Sequence, residues 1–403
     1  MSAYHPLAEQ EAIDIASRIE DVFPRGAKLS CREIGDGNLN LVFHITDAES
    51  GRSLIMKQAL PYAKVVGESW PLTLDRARIE CEALMVQHRL APGLVPKVYR
   101  YDAELALTIM EDLSDHVIMR RGLIELGRYP RFADDISTFL ANTLFYTSDL
   151  GMNQQEKKIR AGRFINPELC KITEDLIFDD PYTVSANNNY EAAIEDEAEA
   201  LRTDAALHLE VALLREKFLT QGQALLHGDL HTGSIFVTPE STKVIDPEFA
   251  YYGPMGYDIG AVIANLLLNA AGQSYWSKDE ASRSDYRAYL LDTAEQVWTG
   301  FEAKFRALWN ESCVDRLART APGYQDDYMR RLLQDTIGYA GAKMVRRIVG
   351  LAHVADIDKI EDAAVREAAQ RTSLRIGKAL IKENRRIASF GQALDIAAAA
   401  LQG

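Results

Sequence analysis

The sequence lacks the features of a secreted, disulfide-bonded or membrane-spanning protein. Its cysteines are far apart and form no CxxC pair, which excludes a disulfide framework or a zinc knuckle: Cys31, Cys81, Cys170 and Cys313. The start of the chain has no basic segment followed by an apolar one, so no signal peptide is indicated. The most apolar run, IGAVIANLLLNAAG at 259–272, is too short to span a bilayer and carries two asparagines. We expect a cytoplasmic protein without a membrane partner.

The chain has fewer basic than acidic residues, and it lacks the signature segments of P-loop enzymes and of protein kinases. The 403 residues carry 59 acidic and 45 basic side chains, a net charge of -14 that argues against a nucleic-acid partner. No GxxxxGK[ST] segment occurs, which disfavours a P-loop enzyme. The HRD-type loop, DFG and APE segments of protein kinases are absent as well. The hydrophobic fraction of 47% is nevertheless typical of a folded globular chain.

Hydrophobic periodicity predicts an α+β protein with two lobes. Residues 8–23 have helical spacing, and 28–60 read as three strands separated by a GDGN turn and an ESG turn. A helix over about 74–90 and two strands within 96–113 follow. The predicted first lobe, residues 1–112, is therefore a small antiparallel sheet with one key helix. The second lobe, 113–403, is mainly helical in pattern.

Two carboxylates lie beside short β-type runs in the second lobe. HGDLHTGSIFV at 227–237 contains Asp229, and KVIDPEFA at 243–250 contains Asp246 and Glu248. The runs SIFVT and TKVID form a predicted hairpin, whose geometry would bring Asp229 and Asp246 to one site. One acid could then accept a proton from a substrate hydroxyl. The other, with Glu248, could hold a divalent cation during phosphoryl transfer.

Two other interpretations of this segment stay open at this point. A single Asp before a strand is commonly a turn or cap residue. The H-x-D-x-H spacing could belong to a transition-metal cluster, although no third ligand set accompanies it. We favour a third role for His227 and His231, in which they hydrogen-bond and orient the loop.

The first lobe supplies a possible phosphate-positioning device. Lys57 lies in the apolar strand SLIMKQAL and needs a partner if it is buried. Glu80 and Glu82 on the following helix are candidates, and the spacing to Leu84 favours Glu80. The GDGNLN turn at 35–40 could close over phosphates, since its glycines permit positive φ values, but such a turn is commonly structural.

These motifs occur in the order of the protein-kinase-like fold and resemble the methylthioribose kinase family. The resemblance rests on GDGNLN, ESWPLTLDRAR, HGDLHTGSIF, IDPEFAYYGPMGYDIG and MVRRIVGLAHVADI, which sample residues from about 30 to 360. The wider superfamily of aminoglycoside phosphotransferases and choline kinases usually has Asn five residues after the base Asp, where this chain has Ser234. We expect Ser234 to contribute little directly.

The resemblance implies an ATP- and Mg²⁺-dependent kinase with its catalytic base at Asp229. That residue would take the proton from the anomeric hydroxyl of 5-methylthioribose. The implied metal ligands are Asp246 and Glu248. The implied nucleotide contacts include a hinge whose backbone reads adenine: Asn40, Lys57, the hinge residues Glu111, Asp112 and Leu113, and Asp246, Pro247 and Glu248. The resemblance also implies a homodimer.

Twin arginines and a tryptophan are the implied substrate contacts. On pattern alone, Arg346 and Arg347 would be surface ion-pairing residues, because exposed arginine is common. The resemblance reverses that preference and assigns them to substrate and the transferring phosphate. Because adjacent helical residues point about 100° apart, we expect at most one of them to reach a given point. Trp70 would close over the sugar, although a loop tryptophan is often a packing anchor.

Two alternatives to a methylthioribose kinase follow from the same motifs. A phosphotransferase for an aminoglycoside or a choline-like compound would suit the acidic chain, but the twin arginines and the Trp70 segment favour the sugar. A nucleotide-binding pseudokinase would keep the fold without catalysis. Its expected sign is the loss of the base or the metal acid, and both Asp229 and Asp246 are present.

Overall fold

The structure is a computed structural model that describes residues 4–35, 40–63 and 67–402. The strands are β1 (Leu29–Glu33), β2 (Asn40–Asp47), β3 (Ser53–Ala59), β4 (Tyr62–Ala63), β5 (Gly67–Pro71), β6 (Val98–Asp102), β7 (Leu107–Glu111), β8 (Val117–Ile118), β9 (Ala224–Leu225), β10 (Ile235–Val237), β11 (Thr242–Val244) and β12 (Tyr252–Gly253). The helices are α1 (Glu9–Ala16), α2 (Asp75–Leu90), α3 (Met119–Ile124), α4 (Phe132–Tyr146), α5 (Gln154–Ala161), α6 (Pro167–Phe178), α7 (Glu195–Thr203), α8 (Ala205–Thr220), α9 (Gly256–Trp276), α10 (Glu280–Ser312), α11 (Arg316–Thr320), α12 (Tyr324–Val349), α13 (Ala355–Asp358), α14 (Ala363–Glu383) and α15 (Phe390–Gln402).

An antiparallel sheet with the order β1-β2-β3-β7-β6 forms the first part of the chain. Side chains of a strand alternate between the two faces of its sheet. Leu54 and Met56 of β3 are therefore buried on the face that packs against α1, together with Phe43 and Ile45. Lys57 lies on the opposite face. The strand period thus turns this lysine away from the apolar core.

The leading helix is shorter than its periodicity predicts. The sequence predicts helical spacing over 8–23, whereas α1 ends at Ala16. Turn-type backbone hydrogen bonds follow, from Ile19 N–H to Ala16 C=O and from Val22 N–H to Ile19 C=O. Ile19 and Val22 remain buried without a continuous helix. Apolar spacing alone therefore identified the buried face but overestimated the helix length, while the predicted helix over 74–90 is confirmed as α2.

The hairpin predicted between the two acids is confirmed. β10 and β11 pair antiparallel, with Ile235 opposite Val244, and β10 also pairs with β8. Asp229 precedes this hairpin, and Asp246 follows it with φ 67°. A positive φ at a residue other than glycine stores strain, which concentrates at functional sites. The predicted GDGN turn is only partly described, because residues 36–39 lie outside the described ranges.

Long helices make up most of the second lobe, and α12 packs against both α9 and α14. At Gly260 of α9, an added Cβ would lie 2.6 Å from the Thr336 carbonyl oxygen of α12. Only glycine allows the two helices to approach this closely.

Among the described helices, α9 included, none has the length and apolarity needed to cross a membrane. We propose that the lobes meet between residues 112 and 113, just after β7 and before the pairing of β8 with β10.

Candidate active site

Lys57 is joined to both lobes by carboxylates. Its Nζ donates to Glu80 Oε1 at 2.8 Å and also to Asp246 Oδ1. Glu82, two residues further along α2, faces elsewhere and accepts from Arg163 at 2.7 Å. Residues two apart on a helix point in nearly opposite directions. The expectation that Glu80 rather than Glu82 pairs with Lys57 is therefore confirmed.

Charge and burial act in opposite directions on the ionisable groups around this lysine. Burial works against the charge of Lys57, but Asp246, Glu80 and Glu248 outweigh it and raise its pKa. Burial raises the pKa of Glu80 to about 7, although Lys57 opposes the shift. Burial also opposes ionisation of Asp246, but Lys57 lowers its pKa overall. Lys57 and Asp246 thus form an ion pair at the junction of the strand and the DPE segment.

Three carboxylates converge beside Lys57, and we call Glu80, Asp246 and Glu248 the acidic cluster. One oxygen from each lies within 4.8 Å of the others. An all-oxygen donor set suits a hard cation such as Mg²⁺, which is usually held by one or two carboxylates and by phosphates. Lys57 contacts both Glu80 and Asp246, and the assignment of Asp246 and Glu248 as the ligands comes from the resemblance. The residues present therefore fit the cation implied by the resemblance.

Arg76 connects this cluster to α2 and was missed by sequence reasoning. Its guanidinium is fully buried, with Nε 3.5 Å from Glu248 Oε2 and Nη2 donating to Asn40 Oδ1 at 3.0 Å. Asn40 Nδ2 in turn donates to Glu248 Oε2 at 3.3 Å. A signal was present, because Arg76 precedes Glu80 by four residues and so shares its helix face. Asn40 thus contacts a proposed metal ligand.

The loop that carries Asp229 depends on a glycine in the left-handed region. Gly228 has φ 87°, and an added Cβ would lie 2.2 Å from the Phe249 carbonyl oxygen. Asp258, at the start of α9, accepts from the N–H groups of His227 at 2.6 Å and Gly228 at 3.0 Å. Asp258 was also missed, although it lies in the quoted GYDIG motif. It fixes the backbone next to the predicted base.

His227 has the orienting role that the sequence analysis favoured. Its Nε2 donates to the Ile245 carbonyl at 2.7 Å, and its Nδ1 accepts from the Asp229 N–H at 3.2 Å. Both ring nitrogens are engaged by backbone, which leaves neither for a transition metal. The H-x-D-x-H metal alternative is therefore not supported at His227. The same bonds tie the Asp229 loop to the end of β11.

The Asp229 carboxylate is surrounded by cationic and hydrogen-bonding groups. Lys343 Nζ donates to Oδ1 at 3.1 Å, His231 Nε2 lies 3.3 Å from Oδ2, and Arg347 Nη2 lies 4.0 Å from Oδ1. Burial opposes its ionisation, but His231, Lys343 and Arg347 hold its pKa well below the usual range. Its side chain is 22% exposed, so a substrate could still reach it.

The twin arginines are buried, not exposed. They belong to the last turn of α12, where Arg346 Nη1 donates to the Leu351 carbonyl at 2.9 Å and Arg347 Nη1 donates to the Ala352 carbonyl at 2.7 Å. The surface interpretation from pattern alone is wrong. The expectation that at most one would reach a given point is also wrong, because Arg346 also reaches the Ala352 carbonyl, at 3.3 Å. The long side chains converge although their Cα–Cβ bonds diverge.

The predicted hinge is tied to both neighbouring strands. Glu111 N–H donates to the Lys97 carbonyl at 2.8 Å, and the Leu113 carbonyl accepts from His116 N–H at 2.9 Å. Asp112 turns its carboxylate inward, where Oδ2 accepts from Ser53 Oγ at 2.7 Å. The adenine contact of residues 111–113 stays a prediction.

The remaining predicted residues lie around the two acids or outside the described side chains. Pro247 stands between Asp246 and Glu248, and its carbonyl accepts from Ala250 N–H at 3.1 Å. Ser234 Oγ lies 3.2 Å from His231 Nδ1, which gives it an indirect place in the loop. The side chain of Trp70 lies outside the described part of the chain, so its role stays a prediction.

The site is of the phosphotransferase class. It combines a strand lysine paired with a helix glutamate, the acidic cluster, and the loop that carries Asp229. The model of a phosphotransferase enzyme family matches residues 30–311. A methylthioribose kinase of Geobacillus sp. (strain WCH70) is 52% identical over 96% of this chain and 94% of its own length. Those of Geobacillus thermodenitrificans (54%; 95% and 94%) and Enterobacter sp. (strain 638) (45%; 94% and 95%) agree. The chain belongs to the methylthioribose kinases within that phosphotransferase family.

Proposed function

We propose that the protein transfers the γ-phosphoryl group of ATP to the anomeric hydroxyl of 5-methylthioribose. The products are 5-methylthioribose 1-phosphate and ADP, a step of methionine salvage. The choice of sugar is supported by the relatives named methylthioribose kinase over almost the whole chain. The reaction is supported by one observation above all. A partly exposed Asp229 faces buried cations, while a separate acidic cluster is joined to Lys57.

Asp229 is the proposed proton acceptor. During transfer, the bond between the anomeric oxygen and phosphorus forms, the bond from phosphorus to the ADP oxygen breaks, and the hydroxyl proton passes to the Asp229 carboxylate. Phosphoryl transfer relies chiefly on positioning and on neutralisation of charge. Arg346 and Arg347 are suited to the acceptor side, because both are buried cations whose pKa is lowered by burial and which would gain from an anionic partner.

The acidic cluster is the proposed place of the metal and the nucleotide phosphates. Asp246 and Glu248 would hold Mg²⁺, which when bound neutralises phosphate charge. Lys57 would contact the phosphates from β3, Asn40 would lie beside them, and residues 111–113 would read adenine. Trp70 would close over the sugar. These roles extend the resemblance onto residues whose positions, Trp70 apart, are described above.

Cationic acceptors such as aminoglycosides or choline fit this site less well. The base is approached by Lys343 and Arg347, and a cation placed there would be repelled at short range. The expected sign of the pseudokinase alternative is the loss of Asp229 or Asp246, and both residues are present.

The test measures ADP release with Mg²⁺ and ATP, offering methylthioribose, ribose, choline and kanamycin separately. We expect turnover with methylthioribose, NMR of the product showing phosphate at C1, and loss of at least about 10²-fold in kcat for Asp229→Asn. Asp326→Asn is the matched control, since Asp326 is an exposed partner of Arg306 at the far end of α12. Turnover of another compound alone would discard the substrate. Full activity of Asp229→Asn would discard the base.

A homodimer in the cytoplasm is also proposed. The dimer is supported by the family resemblance, and light scattering of the purified chain tests it by giving twice the 45.0 kDa chain mass or a different value. The cytoplasm is supported by the four cysteines, all of which are free thiols.

A further inference from the structure

A buried lysine contacts the proposed base, and the sequence analysis did not single it out. Lys343 lies on α12, three and four residues before the twin arginines. Its side chain is 3% exposed, and Nζ donates to Asp229 Oδ1 at 3.1 Å. The ring of Tyr257 on α9 lies 4.5 Å from Nζ. A buried ammonium needs compensation, and here the carboxylate and the aromatic face supply it.

The second oxygen of Asp229 is held by a neutral histidine. His231 Nδ1 accepts from Gly233 N–H at 3.0 Å, which places the ring proton on Nε2. Nε2 lies 3.3 Å from Asp229 Oδ2. Burial lowers the pKa of His231 to about 4, so the ring is neutral near pH 7. Lys343 therefore fixes one carboxylate oxygen, and the imidazole orients the other.

We propose that Lys343 is a positioning residue that holds the Asp229 carboxylate in its reactive orientation and ties it to the helix of the twin arginines. With Oδ1 bound by Lys343, the carboxylate plane is fixed, and a lone pair of Oδ2 is left for the acceptor hydroxyl. Arg346 and Arg347 project from the same helix, so one rigid element sets the distance from base to cations. This inference rests on the proposed function, because it assigns a role relative to Asp229 as the base.

The groups around Lys343 determine whether its side chain is charged. It is faced by Asp229 from the loop, by Asp258 and Tyr257 from α9, and by Arg346 and Arg347 from its own helix. Burial and the two arginines outweigh Asp229 and lower the pKa of Lys343 to about 8. It is therefore still mainly charged at pH 7. Asp258 is the acid that holds the Asp229 loop, so Lys343 acts electrostatically on both the base and the residue that supports its loop.

The proposal predicts a change in pH dependence. Lys343 is one of the groups that hold the pKa of Asp229 below its usual range, so its removal raises that pKa. Asp229 must be ionised to accept a proton, and the acid limb of kcat/KM should then move to higher pH. A loss of packing alone would lower activity at every pH without moving this limb.

The test compares Lys343→Met and Lys343→Ala with the parent enzyme from about pH 3, below the usual pKa of an aspartate, to about pH 9. We expect kcat to fall about 10²-fold, because misplacement of a reacting group by about 1 Å costs this much. The KM for ATP should stay within about twofold, and methylammonium should restore part of the activity of Lys343→Ala. Tetramethylammonium at the same ionic strength should not, because it cannot donate a hydrogen bond.

Lys157→Met is the matched control. Lys157 is also buried, pairs with Asp149 and lies 6.0 Å from the ring of Tyr252, but it belongs to α5. Its replacement should leave kcat and the acid limb unchanged. Circular dichroism and ADP binding establish that each variant is folded, and Lys343→Met preserves volume if Lys343→Ala does not fold.

Three results would overturn the proposal. They are an unchanged kcat in Lys343→Met, a loss confined to the KM for the sugar, and a loss with neither a shifted acid limb nor rescue by methylammonium. These outcomes are separable from a failure of the proposed function. If the parent turns over methylthioribose and Asp229→Asn does not, the function stands whatever Lys343 does. If the parent does not turn it over, the function fails first.

Discussion

The acidic cluster and the surroundings of Asp229 are built with opposite charge. In the first, Glu80, Asp246 and Glu248 enclose Lys57 and Arg76. In the second, Lys343 and Arg347 enclose Asp229, and Arg346 lies beside them. A region with excess carboxylate attracts a cation, and one with excess ammonium and guanidinium attracts an anion. One chain of net charge -14 thus contains separate regions suited to metal and to phosphoryl group.

The largest expected effect comes from breaking the acidic cluster at Asp246. Asp246→Asn removes both the partner of Lys57 and a proposed Mg²⁺ ligand, and we expect kcat to fall about 10³-fold, in the upper range of lost electrostatic stabilisation. The half-saturating Mg²⁺ concentration should rise. Steady-state kinetics over a Mg²⁺ titration measure both quantities. A variant with parental Mg²⁺ dependence would remove Asp246 from the metal site.

Removal of a cation near Asp229 should lower kcat/KM for the sugar and leave the use of ATP nearly unchanged. In Arg347→Met the acceptor loses one buried cation near Asp229, and kcat/KM for methylthioribose should fall about 10- to 100-fold, which corresponds to one charged hydrogen bond. The KM for ATP should change little. Kinetics with each substrate varied in turn measure the two effects. Equal losses for both substrates would contradict the division between the two regions.

A matched pair of glutamates on α2 sharpens the assignment of Lys57. Glu80→Gln removes a buried partner of Lys57, and kcat should fall about tenfold, equivalent to roughly 1.4 kcal/mol. Glu82→Gln removes an ion pair with Arg163 that is 64% exposed on the arginine side, and an exposed pair contributes about 0–1 kcal/mol. The second variant should therefore resemble the parent in both kcat and thermal unfolding. A reversed order would reassign the partner of Lys57.

The last expected effect is a loss of stability, and it should come from the loop that carries Asp229. Gly228→Ala forces a Cβ against the Phe249 carbonyl at φ 87° and should destabilise the fold by about 1–3 kcal/mol. Denaturant unfolding followed by circular dichroism measures this loss. Gly51→Ala is the control, since it shares a positive φ of 69° but has open space around its Cβ position. Equal destabilisation would mean that φ, and not the contact, sets the cost.

Local pattern predicted those parts of the site that lie on regular elements. The apolar strand indicated that a buried Lys57 needs a partner, helix spacing selected Glu80, and the hairpin placed Asp229 and Asp246 at its two ends. Arg76 and Lys343 were missed for a common reason. Each is a cation buried on a helix, and periodicity can place it on a helix face but cannot tell which polar residue a neighbouring element will cover. That information resides in the packing of α12 on α9 and of α2 on β3 and β7.

The most direct test of the division between the two regions is calorimetric binding of each ligand alone to Glu248→Gln and Arg347→Met. We expect Glu248→Gln to lose Mg²⁺–ADP affinity by about tenfold or more and to keep methylthioribose affinity, and Arg347→Met to do the reverse. The parent and the Glu82→Gln variant should bind both ligands alike. If both variants lose the same ligand, or if each loses both to the same extent, the acidic and basic regions do not serve different substrates.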